Sequence, residues 1–118
     1  MVTLDFSLAK LHHQLWKMRL RLFLDDMEKL TVAEAVSHKD CQLGQWIYST
    51  GQTNYGSESD MIKLEKVHAD FHQEIRQVVQ LKSDGKNIQA EAEYQKVVPL
   101  SDQVVDLLES LNQKINPS

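Results

Sequence analysis

A chain of 118 residues is long enough to bury its own core without staples, and one domain over residues 1–118 is expected. The formal net charge is -4, and the basic residues are scattered rather than gathered into a patch with interleaved aromatics, so nucleic acid is not an expected partner. No apolar run approaches the roughly 20 residues that span a bilayer, and the opening MVTLDFSLAK lacks the layout of a signal peptide; a cytoplasmic protein with no membrane partner is expected. The single cysteine, Cys41, excludes an intrachain disulfide and is either a small buried hydrophobe or a chemically used thiolate.

From about Leu4 to Met27 the pattern is helical and apolar on two sides. Phe6, Ala9, His13, Trp16, Leu20, Phe23 and Met27 form one stripe; Leu4, Leu8, Leu11, Leu15, Met18 and Leu22 form another on nearly the opposite face. One face suits the domain's own core. The other calls either for a partner surface, such as a second copy of the chain, or for a helix sandwiched within one bundle.

Thr31 and Glu34 have capping-box spacing, and Asp40 is placed to cap a short helix from Cys41 to about Tyr48. Gly51, Asn54, Gly56 and Ser57 then mark a loop reaching Asp60. A long helix is predicted from about Ser59 to Lys82, with Leu64, His68, His72, Ile75 and Val79 on one stripe. SDGKN reads as a turn. The last helix runs from about Ile88 to Ile115, with Tyr94, Val97, Val104, Leu108, Leu111 and Ile115 inward and Pro99 expected to bend or break it. With no alternating strand pattern, the fold class is all-α: an antiparallel four-helix bundle with a short or irregular helix carrying the cysteine.

Three histidines occupy apolar stripes: His13 on the first helix, His68 and His72 one turn apart on the third. Burying three imidazoles leaves polar nitrogens in need of partners where water is scarce, and a metal ion would satisfy them together. Cys41 follows a cap position, where free N–H groups favour a thiolate, and Gly44 one turn later lets that short helix lie close to a neighbour. Three neutral imidazoles and a thiolate suit tetrahedral zinc, although copper(I) or iron(II) accepts the same set. Four protein ligands leave no position for a reactive water, which argues against an enzyme. His12 faces away from this stripe and reads as a surface residue. His38 reads as an exposed residue or a supporting cap.

At these residues the chain resembles a known family. HQLW from His13, CQLGQWIY from Cys41 and HADFH from His68 resemble, in order and with similar separations, the motifs of the chemoreceptor zinc-binding (CZB) family. The resemblance implies a four-helix bundle whose zinc ligands fall on His13, Cys41, His68 and His72, with Trp16, Gly44 and Trp46 at other characteristic positions. It further implies a sensory or regulatory domain of bacterial signalling, attached to chemoreceptors or diguanylate cyclases or standing alone. Such domains respond to zinc or to oxidants such as hypochlorous acid, and those attached to cyclases form dimers.

Other classes make different demands. A di-iron bundle of the haemerythrin kind needs inward carboxylates, and Glu65, Glu74, Glu91 and Glu93 all lie off the histidine stripe. A phosphotransfer bundle needs an exposed histidine, for which only His12 or His38 offers itself, in no recognisable context. A plain helical dimerisation domain with a structural zinc makes no further demand.

Overall fold

The computed structural model describes residues 4–30 and 41–116, and its regular elements are all helical. The Thr31–Glu34 capping box, His38 and the Asp40 cap lie outside the described residues.

The first helix, α1, spans Phe6–Leu24, and the Asp5 carboxylate accepts the Leu8 N–H as its N-cap. It stops three residues short of the predicted Met27. Asp26 takes a left-handed φ of 62°, and the Met27 N–H reaches back to the Leu22 carbonyl, a backbone closure that ends the helix. Met27 therefore leaves its stripe and is exposed. Phe6, Ala9, His13, Leu20 and Phe23 are buried as expected. Trp16 is only half-buried, with the Arg19 guanidinium over its ring at 4.8 Å. The opposite stripe is open: Leu8, Leu11, Leu15, Met18 and Leu22 are all exposed, Met18 by 58%.

The cysteine segment differs most from the prediction. Cys41 itself caps α2 (Gln42–Trp46). The chain continues through a π-helical turn at Ile47–Gly51 into α3 (Gln52–Tyr55), where a loop was expected. Only residues 56–58 are non-helical before α4. Gly51 is not a turn residue: a Cβ there would lie 3.1 Å from both the Met61 methyl and the Trp46 ring. The absent side chain lets the segment sit close against α4. Leu43, Trp46 and Ile47 are buried, and Trp46 packs edge-on against Phe6 and stacks on Tyr55.

The fourth helix, α4, spans Ser59–Ser83, and α5 spans Asn87–Ile115. The turn between them uses Gly85 at φ 80° while the Lys86 N–H closes onto the Leu81 carbonyl. Helix α5 passes Pro99 unbroken. Pro99 and Gln95 are both exposed, so the Gln95 carbonyl that loses its partner faces water. The buried residues of α5 recur at alternating spacings of four and three: Ala90, Tyr94, Val97, Ser101, Val104, Leu108 and Leu111.

Cross-helix pairs fix the directions. Lys10 meets Glu109, Lys17 meets Asp102 and Arg21 meets Glu91, so α5 runs antiparallel to α1. Asp60 accepts from Ser110 and Lys114, while Glu74 faces Glu93, so α5 also runs antiparallel to α4. Among the described residues, three long helices and the α2–α3 segment thus enclose one apolar core, the bundle the sequence predicts.

Candidate metal centre

The helical periods place His13 on the inner face of α1 and His68 and His72 on that of α4, where the three are 3%, 0% and 3% exposed. Their rings approach edge to face: centroids are 5.0 Å apart for His13 and His68, 5.7 Å for His13 and His72, and 4.6 Å for His68 and His72. Phe71 closes one side, its ring 5.4 Å from that of His13 and 5.7 Å from that of His72.

Hydrogen bonding settles the tautomer of His13. Its Nδ1 lies 2.7 Å from the Ala9 carbonyl oxygen, which can only accept, so Nδ1 carries the proton. The lone pair is then on Nε2, a buried atom with no hydrogen-bond partner among the described residues. Burial lowers the pKa of His13 below the usual imidazole value, outweighing the Ala9 hydrogen bond that raises it, and neighbouring His12 lowers it further. A neutral imidazole with a buried lone pair is what a metal ligand requires.

Cys41 reaches the histidines from the start of α2. Its Sγ lies 3.2 Å from His68 Nε2 and accepts the Gly44 N–H at 3.3 Å. That backbone bond favours negative charge on sulfur. Gly44 is buried and supplies this donor, a role that its spacing did not reveal.

One donor atom from each of His13, Cys41, His68 and His72 lies within 4.8 Å of every other. Two donors on one zinc ion, bound at about 2.0–2.3 Å, sit roughly 3.3–3.6 Å apart, so a contraction of about an ångström suffices. The residues therefore fit a zinc ion by donor type, number and placement. All four candidate residues come together, from three separate segments. His12 is exposed and outside the group.

Carboxylates do not join the cluster. Glu91 pairs with Arg21, and Glu74 and Glu93 pair with each other on the outer side of the α4–α5 contact. The di-iron arrangement thus lacks its oxygen ligands among the described residues. Sequence reasoning missed two neighbours of the centre, the Ala9 carbonyl and Phe71. Ala9 was detectable, standing one turn before His13. Phe71 gave no signal beyond apolarity. No helix among the described residues is long and apolar enough to cross a membrane.

The family model of the chemoreceptor zinc-binding domain matches residues 13–79, which takes in all four clustered residues. Neither the curated proteins nor the solved structures provide a match to this chain.

Proposed function

Since the chain belongs to the chemoreceptor zinc-binding domain family, a zinc-binding domain of signalling proteins, we propose that His13, Cys41, His68 and His72 are the four ligands of a single zinc ion. The domain, taken as one unit over residues 1–118, then serves as a non-catalytic sensory module that works in the cytoplasm. The observation that carries this reading is the convergence of three imidazole nitrogens and one cysteine sulfur within 4.8 Å of one another, with the three histidines buried.

Bound zinc would tie α1, the cysteine segment and α4 together through these side chains. Each residue has a distinct part. His13 is held by Ala9 with Nε2 inward, and His68 and His72 present neighbouring rings from consecutive turns of α4. Cys41 is the exception because it is only half-buried. A metal-held thiolate remains a nucleophile, which makes Cys41 the point of attack for an oxidant. With hypochlorous acid, the Cys41 sulfur attacks chlorine and releases hydroxide. Water then displaces chloride from the sulfenyl chloride, giving sulfenic acid and costing the site a ligand.

A homodimer is the second part of the proposal. Leu8, Leu11, Leu15, Met18 and Leu22 recur at alternating three- and four-residue spacing on the outer face of α1, the seam geometry of paired helices. Its occupant is a second copy of this chain, and the output is an attached or separate signalling protein of the receptor or cyclase kind. Leu15→Glu is expected to convert a dimer to a monomer in analytical ultracentrifugation; a parent already monomeric at high micromolar concentration rules the dimer out.

Elemental analysis of protein purified without added metal or a histidine tag tests the site. About one zinc per chain is expected, lost or weakly held in Cys41→Ala. No metal in either protein, and no uptake on titration, would return the three histidines to the core as packing residues.

A further inference from the structure

Among the described residues, α5 is the long helix that gives no side chain to the cluster, yet its buried seam contains one polar residue. Ser101 is 0% exposed, between Val97 and Val104 in an otherwise apolar series apart from the Tyr94 hydroxyl. Its Oγ has no hydrogen-bond partner among the described residues. A buried hydroxyl without a partner is costly, and such groups call for an explanation.

The cross-helix pairs supply its position. On one side of the bundle Asp60 meets Ser110, and further along Glu74 faces Glu93 and Lys96. Interpolating between these pairs in two antiparallel helices puts Ser101 opposite the turn of α4 that carries His68 and His72. On α1, Lys17 meets Asp102, one turn from His13. The polar position of α5 thus falls in the same layer as the polar positions of α1 and α4.

His68 directs Nε2 toward Cys41 at 3.2 Å, so its Nδ1 points away from the cluster and into the core. A neutral imidazole that ligates through Nε2 carries its proton on Nδ1, and the partner of that second nitrogen fixes ring orientation and ligand basicity. We propose that Ser101 is a positioning residue of the centre: in the zinc-loaded domain its hydroxyl accepts the Nδ1 proton of His68. A step between χ1 rotamers moves a serine oxygen by about 2 Å, enough to change its partner without moving the helix. The hydroxyl's own proton then goes to the Val97 carbonyl one turn back. This inference rests on the zinc reading above and adds a residue from the remaining long helix.

The test compares the parent and Ser101→Ala in two ways. Competition against a chromogenic chelator should show zinc held about tenfold more weakly by the variant, the usual loss when a ligand's supporting partner is removed. The metal-free variant should melt no lower than the parent, because alanine removes an unsatisfied polar atom and leaves the helix intact. Long-range proton–nitrogen spectra of the histidine rings, recorded on zinc-loaded protein, supply a readout that packing alone does not move. One ring should show a slowly exchanging Nδ1 proton whose shift changes in the variant. If the parent binds one zinc and Ser101→Ala binds it equally well with the same ring spectrum, the positioning role is wrong and the zinc site stands. A parent that binds no zinc overturns both.

Discussion

The α4–α5 hairpin and the cysteine segment are held by different means. The hairpin joins two long helices through a three-residue turn closed by Gly85, and its seam is apolar at nearly every position. It is expected to persist without a ligand. The segment from Cys41 to Tyr55 is two short helices around a π-helical turn, anchored by Leu43, Trp46 and Ile47 and by the close approach of Gly51 to Met61. Helices this short are not stable alone, so the segment depends on its tertiary anchors and on whatever Cys41 binds. On the proposed zinc reading, loss of the Cys41 bond is expected to release this segment while the rest of the bundle stays folded.

Zinc removal gives the largest effect on this comparison. Hydrogen exchange of zinc-loaded protein, set beside protein treated with a chelator or with one equivalent of hypochlorous acid, should show protection lost over residues 41–55 by at least tenfold. The α4 and α5 seams should retain most of theirs. Equal protection of residues 41–55 in all three samples would remove the basis for a switch in this segment.

Side-chain truncation sharpens the same contrast. Leu108→Ala empties a fully buried position of the hairpin and should cost about 2–5 kcal/mol of global stability with or without zinc. Trp46→Ala removes the ring that meets both Phe6 and Tyr55, at a cost of about 3–5 kcal/mol in the zinc-loaded protein. In the metal-free protein, where the segment has already loosened, the Trp46 cost should fall well below that of Leu108. Denaturant titrations of both variants in both states measure this. A Trp46 cost that is the same in the two states would mean the segment stays docked without metal.

The same contrast explains what was legible in the sequence. The α4 and α5 boundaries followed from period and turn residues, because long helices repeat their apolar positions many times. The four cluster residues were legible because histidine on an apolar stripe and a lone cysteine beside a helix start both break a pattern. Gly51 misled: glycine serves turns and tight contacts alike, and only the Trp46 ring and Met61 methyl at 3.1 Å show which applies. A π-helical turn has no recognisable period, so the helix predicted from Cys41 ended near Tyr48 and residues from Gly51 read as a loop, where the chain stays helical to Tyr55. Met27 continued the α1 stripe in sequence, but the left-handed Asp26 ends the helix first. Ser101 left only a gap in the inward series of α5, since serine in a helix attracts no notice until its burial is known.

The smallest expected effect lies on the outer side of the hairpin. Burial raises the Glu74 carboxyl to about 7, helped by its hydrogen bond to Glu93 and by the charge of that neighbour, with Lys96 opposing. Glu93 is held below the usual carboxylate range by the same hydrogen bond and by Lys96, whose Nζ lies 3.0 Å away, so the proton of the pair resides on Glu74. A folded-state pKa above the unfolded value means that the folded protein binds more protons between the two. Stability from this group is therefore fully present below about pH 4.5 and falls as pH rises through about 7. Glu74→Gln keeps the hydrogen-bonding shape without the titration. Its stability relative to the parent should rise between pH 5 and 8, by on the order of 1 kcal/mol once solvent screening of this partly exposed pair is allowed for. Metal-free protein is the right sample, because acid also protonates the histidines and would otherwise add zinc release to the profile. A difference between variant and parent that stays flat across this range would mean that the two carboxylates separate in solution, and that the α4–α5 contact does not depend on their shared proton.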